Sequence, residues 1–335
     1  MPKNIFIPIL GLMLLGALVL AGAVGAVRVS PGEIISASTA IFTGTDSLSA
    51  GEFIWLRVRL PRIILSAVVG ASLAISGTVL QGLFRNPMAE PYIIGVSSGG
   101  ALGATLVLMF GQGLMFLSLS LPVFAFLGAL AATGLVYGLS RVDGRISTTT
   151  LLLSGIAVSS FVSALIALLM TLHGEDLYAV FFWLMGSFSA RNWGHVRMIL
   201  PFFVVGFAVI FFYYRELNVM LLGDDKAAHL GVDLEKAKPV LLAATALLAG
   251  AAVSVSGLIG FVGLIIPHIV RLIIGPDHKT LIPAAALGGA FFLLVADIIA
   301  RTVLAPTEIP IGIVTSLFGA PFFIYLLRTR RRTIG

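Results

Sequence analysis

The sequence predicts an all-α polytopic membrane protein with about ten transmembrane helices and an inverted internal repeat. Three observations carry this. Apolar residues fill 59% of the 335 positions and charged residues only 11%, against about 25% charged in soluble domains, so a soluble surface of this size could not be covered. The apolar residues fall in runs of roughly 20, the length that crosses about 30 Å of hydrocarbon. And a small-residue pattern recurs late in the chain, which is how many transporters are built.

The runs place spans at 5–27, 62–83, 93–110, 114–139, 148–172, 196–213, 239–257, 259–273, 281–302 and 310–328, the eighth being short. The first run, from Ile5 to Val27, is too long for a signal-peptide core and only Lys3 precedes it; it is read as a retained span. Lys and Arg then set the orientation. With the N-terminus cytoplasmic, fourteen fall on inner segments and seven on outer ones (Arg28, Arg57, Arg59, Arg62, Arg191, Arg197 and Arg301). That bias predicts a cell-membrane (inner-membrane) protein with both termini cytoplasmic. Three outer arginines crowd into 57–62 against the general bias, which singles that segment out.

GASLAISG at 70–77 returns as GAAVSVSG at 250–257. At the same offset Pro87 meets Pro267, and Ile93-Ile94-Gly95 meets Ile273-Ile274-Gly275. Small residues permit close helix approach, and the prolines can end or bend a helix. The copies sit in oppositely directed spans, so one transmembrane domain over 1–335 would hold inverted halves at roughly 62–172 and 239–328.

Several chemistries are excluded. There is no cysteine, and no two of the five histidines form a local metal motif, so no resident metal or cofactor is expected. The net charge of +6 is scattered over short connecting segments and the tail, which fits membrane topology and not nucleic acid. No G-x-x-x-x-G-K-[ST] occurs, and no nucleophile–base pairing is visible, so the chain is read as non-catalytic.

The longest polar inner segment, 215–238, contains too many apolar residues for a plain linker. It predicts two short helices broken at Gly231 and a docking surface. Asp297 and Arg301, at i,i+4 near a span end, predict an ion pair with Arg301 reaching to the headgroups. Ser154, Gly155, Ser159, Ser160 and Ser163 of the fifth span would either glue helices or line an aqueous path. His268 and Arg271 mark the inner end of the eighth span, and 177–193 reads as an aromatic interfacial helix.

Three long stretches, 59–103, 257–301 and 308–327, resemble the FecCD-type permease family of iron-siderophore, haem and cobalamin ABC importers. The resemblance implies a homodimer, two cytoplasmic ATPase subunits that carry ATP and Mg, and an extracytoplasmic substrate-binding protein, with alternating access driven by ATP hydrolysis. It implies binding-protein docking at Arg59, Arg62 and Arg301. It implies ATPase coupling through Leu221, Leu222, Gly223, Asp224, Ala227, Leu230 and Gly231. It implies cytoplasmic gates at Asn86 and Met88 and at Ser147, Thr148 and Thr149. The alternative is an ion-driven secondary transporter, which would need an ion site near the midplane.

Overall fold

In the computed structural model, residues 3–25, 27, 29–43, 49–111, 117–142, 145–172 and 177–331 are described. Arg28 and Arg332 of the orientation count, and His173, lie outside them. The chain is helical almost throughout. Helix α1 (Lys3–Ala23) leads to α2 (Pro31–Thr43) and α3 (Ala50–Phe53). A π-helical stretch, Ile54–Arg59, joins α3 without a break to α4 (Leu60–Leu83). A 3-10 turn, Pro91–Ile94, precedes α5 (Val96–Phe110) and α6 (Leu117–Leu139). A two-residue antiparallel pair, β1 (Arg141–Val142) and β2 (Arg145–Ile146), precedes α7 (Thr148–Leu172) and leaves the fold class all-α. Then come α8 (Leu177–Leu184), α9 (Trp193–Phe212), α10 (Tyr214–Met220), α11 (Asp224–His229), α12 (Leu234–Ser256), α13 (Val262–Ile274), α14 (His278–Thr302) and α15 (Ile311–Arg331).

Seven described helices are long and apolar enough to cross a membrane, and three more apolar helices are shorter. Each of the ten predicted spans meets one of these, but the short ones change the picture. At 1.5 Å per residue, the 15 residues of α5 and 13 of α13 reach only about 20 Å, less than a bilayer core. They are discontinuous helices whose first turns begin inside the bundle. The order long–short–long, from α4 to α6, recurs from α12 to α14.

Burial sorts the helices into a centre and a shell. The apolar windows of α4 and α12 are 83% and 78% buried, while those of α1, α7 and α9 are 28% buried. The small-residue motif explains why α4 is central. A Cβ at Gly70 would overlap the carbonyl of Gly289 in α14, and one at Gly77 would overlap that of Gly263 in α13. Only glycine lets these backbones touch, and in lipid such contact replaces the missing hydrophobic drive between helices.

Pro267 does not end its segment; α13 runs through it. Its ring removes the N–H that would bond to the Gly263 carbonyl. Gln81 of α4 supplies the donor instead, its Nε2 reaching Gly263 O at 3.3 Å and Leu264 O at 3.0 Å.

Candidate functional site

Three places along α4 and α12 gather polar chemistry. The first is the N-terminal end of α4. Arg59, Arg62 and Arg301 are only 4%, 9% and 6% exposed. Arg62 grips Asp297 with Nε at 3.0 Å and Nη2 at 2.8 Å, and Glu308 with Nη1 at 2.7 Å. Arg301 donates through Nη2 to Ala21 O at 2.6 Å and lies 3.7 Å from Asp297. Arg59 donates to the carbonyls of Gly22 and Val27. Arg59 and Arg301 therefore serve the last carbonyls of α1, where the helix dipole favours a cation and the backbone lacks partners. The predicted Asp297–Arg301 pair exists, but Asp297 belongs chiefly to Arg62, 235 residues away. Arg301 points to α1 and not to headgroups. Of the arginines at 57–62, Arg57 alone is exposed.

The second place is the opposite end of α4. Two short helices occupy 214–229, but they break at Gly223 (φ +105), not Gly231. Gly231 (φ +86) instead separates α11 from α12. Glycine is required at both, since L-residues avoid positive φ. Leu222 and Leu230 are 56% and 63% exposed, and Gly231 is exposed too. Ala227 and Gly223 are buried, and Leu221 and Asp224 are half-buried. Asp224 is ion-paired to Lys238 of α12. Asn218 of α10 donates to Asp277 Oδ1 at 2.8 Å and accepts from the His278 backbone N–H at 2.8 Å, pinning α10 to the start of α14. Asn86 Oδ1 accepts from Met88 N at 2.9 Å in a tight turn after α4. Thr148 and Phe84 line one small crevice, so the 86–88 and 147–149 segments share this end of the bundle. Thr149 is exposed, and Ser147 and Thr148 are half-buried.

The third place lies between these ends, where the discontinuous helices start. The Glu90 carboxylate accepts from Phe261 N at 2.8 Å and the Tyr92 hydroxyl from Ile259 N at 2.6 Å. Ser187 N donates to Ser256 O at 2.8 Å, and Ile311 N and Gly312 N donate to Gly186 O and Met185 O at 3.0 Å. Irregular backbone survives at such depth only where its polar groups are satisfied or line a cavity. Both conditions are met. Two cavities of about 480 and 460 Å³ share Leu184 and Leu258. Their hydroxyls include Ser97, Ser98, Ser159, Ser163 and Ser316, and no charged side chain lines either. The serines of the fifth span thus do both predicted jobs: Ser159 and Ser163 line the cavity, and Ser159 also bonds Ser98 at 3.2 Å. Gly155 packs on the Ile93 carbonyl. The aromatic segment folds as α8 only to Leu184 and then supplies this unwound backbone.

Sequence reasoning missed Glu90, Tyr92, Asn218, Gln81 and Glu308. Each acts on a partner at least 59 residues away, so no local pattern announces it. The polarity of Glu90 beside a proline-rich break was the one available signal.

A multi-pass membrane bundle with discontinuous helices around a charge-free cavity is the architecture of a transport protein. The family model of the FecCD transport family matches residues 12–329. The cobalamin import system permease protein of Halobacterium salinarum is 50% identical over 82% of this chain and 73% of its own length. The hemin transport system permease protein of Yersinia pestis is 43% identical over 90% and 91%. A solved structure assigned to the metal-chelate type of ABC transporter, in an inward-facing conformation, superimposes with a TM-score of 0.84 at 34% identity, covering 96% of this chain and 98% of its own. The chain belongs to the FecCD transport family.

Proposed function

We propose that this chain is the membrane-spanning permease subunit of a binding-protein-dependent ABC importer for metal chelates, an iron-siderophore, haem or cobalamin. The observation that carries the reading is the charge-free cavity floored by unwound backbone, in a chain whose relatives import cobalamin and hemin. A passage without charges holds a large chelate weakly, so the cargo can enter and leave. The proposed halves at 62–172 and 239–328 meet at this floor and rock against each other, with two copies enclosing the pathway.

In this reading the C-terminal end of α4 is cytoplasmic and the protein resides in the inner membrane. Two ATPase subunits, binding ATP and Mg, seat on α10–α11, where Leu222 and Leu230 offer exposed apolar contacts. Asn218 and Lys238 pass the movement to α14 and α12, and the segments at 86–88 and 147–149 open and close the inner mouth. The binding protein docks at the other end. There three guanidiniums, Arg59, Arg62 and Arg301, outnumber the carboxylates of Asp297 and Glu308 and set a positive field, and exposed Arg57 makes contact. Such steering is salt-sensitive. The permease itself performs no covalent chemistry.

Reconstitution tests this. The chain with its ATPase and binding protein should take up a chelate only with ATP. Uptake driven by an ion gradient without ATP would favour the secondary-transporter reading. Removing 219–231 should release the ATPase in a pull-down; unchanged co-purification would break the coupling assignment.

A further inference from the structure

Arg62 and Arg271 both have guanidinium groups sunk in the bundle, yet they are satisfied differently. The Nε/Nη2 edge of Arg62, two N–H groups side by side, is filled by the Asp297 carboxylate. Arg271 spends Nη1 on Gln81 Oε1 at 2.8 Å. Its Nε and Nη2, the same edge, are buried and have no hydrogen-bond partner. Arg271 forms no ion pair among the described residues. A buried cation without counter-charge is costly, and the orphaned edge has the fork geometry that matches two oxygens of one anion.

The surroundings point the same way. Arg271 lines a cavity of about 240 Å³ together with Gln81, Arg85, His268, Leu221 and Leu272. That space exceeds several waters at about 30 Å³ each, room enough for a phosphate group. No acidic side chain lines it. Arg85 brings a second, exposed cation from a left-handed backbone position (φ +48), a conformation that a long side chain adopts only under constraint. Leu272, 70% exposed, forms part of the apolar rim. Basic pockets between transmembrane helices near one membrane surface are where anionic lipid headgroups bind.

We propose that this cavity is a phosphate-binding site, with the Nε/Nη2 edge of Arg271 as the bidentate donor and Arg85 as the second cation. The phosphate comes from an anionic phospholipid headgroup or from free phosphate. The Arg271 edge lies under the cavity wall, so occupancy needs a small rotation of its guanidinium or of Leu221. The site holds whichever cargo the chain carries.

The test uses the full chain in nanodiscs of phosphatidylcholine with or without phosphatidylglycerol, and in zwitterionic detergent with inorganic phosphate against chloride at equal ionic strength. Thermal unfolding is read alongside lipid retention by native mass spectrometry. A saturating ligand should raise the midpoint by about 5 °C. Arg271→Gln should lose most of that rise; Arg85→Gln, at an exposed position, should lose about half and guards against a folding defect in the first variant. A rise with phosphatidylglycerol alone assigns the site to lipid, with phosphate alone to the free ion, and with both to the phosphate group itself. No rise in either arm, or a rise undiminished in both variants, overturns the proposal.

Discussion

The two ends of α4 hold arginines in opposite states. At its N-terminal end, Arg62, Arg301 and Arg59 are held by two carboxylates and the last carbonyls of α1, with Arg301 Nε left without a hydrogen bond but 3.7 Å from Asp297. At its C-terminal end, Arg271 has one amide oxygen and an unsatisfied edge. The first is a closed internal latch that fastens α1 to α4 and α14. The second is a half-built site. Buried basic residues thus say little until their counter-charges are located, because a cation paired to a carboxylate fastens helices together and one without a carboxylate partner is open to an outside anion.

The comparison can be broken from its strongest member downward. Asp297→Ala should cost about 3–5 kcal/mol, since it leaves Arg301 without a carboxylate and Arg62 with Glu308 alone; the thermal midpoint in detergent reads this, and a paired Arg62→Leu, Asp297→Leu variant should recover much of it. A small loss in Asp297→Ala would show that the latch is not closed. Asn218→Leu removes the bonds that pin α10 to the start of α14 and should cost about 1–3 kcal/mol. Its sharper effect is functional: the ATPase should still co-purify while ATP-driven uptake falls, and normal uptake would discard the link. Arg271→Gln in phosphatidylcholine alone should cost about 1 kcal/mol or less, far below Asp297→Ala, because no ion pair is broken. Arg57→Glu should change stability by under about 0.5 kcal/mol yet weaken binding-protein association, most at low salt. Equal association in the variant would remove Arg57 from the docking surface. Charge reversal at Arg59 or Arg62 cannot serve that purpose, since it would damage the latch.

Much of the fold was legible. The ten apolar runs predicted the helices to within a few residues, and GASLAISG marked the face on which α4 touches α13 and α14. The segment 28–61 was less legible. It was read as an outer connection, but it folds into α2, α3 and a π-helical stretch that delivers Arg59 to the carbonyls of α1. Its polar composition reports exposure and not helicity. Within 215–238 the expected break at Gly231 exists, between α11 and α12, but a second at Gly223 goes unread, because the turn there is set by the packing of Ala227 and Leu217 against the bundle. The polar floor of the cavity offered no signal beyond the polarity of Glu90, since the partners of Glu90, Tyr92 and Ser187 are distant backbone groups that carry no sequence signature.

What the sequence by itself determined is membrane residence, the helices and the likeness to a permease family. Hydrocarbon imposes its demands residue by residue, on run length and composition, so a linear reading finds them. What only the tertiary structure decided is the state of each polar group within that bundle. Arg62 and Asp297 look like separate intrusions into apolar spans until the fold sets them 2.8 Å apart. Arg271 looks like an ordinary span-end cation until the fold leaves it without an ion pair among the described residues. Coulomb and hydrogen-bond terms act over a few ångströms of space, whatever the distance along the chain.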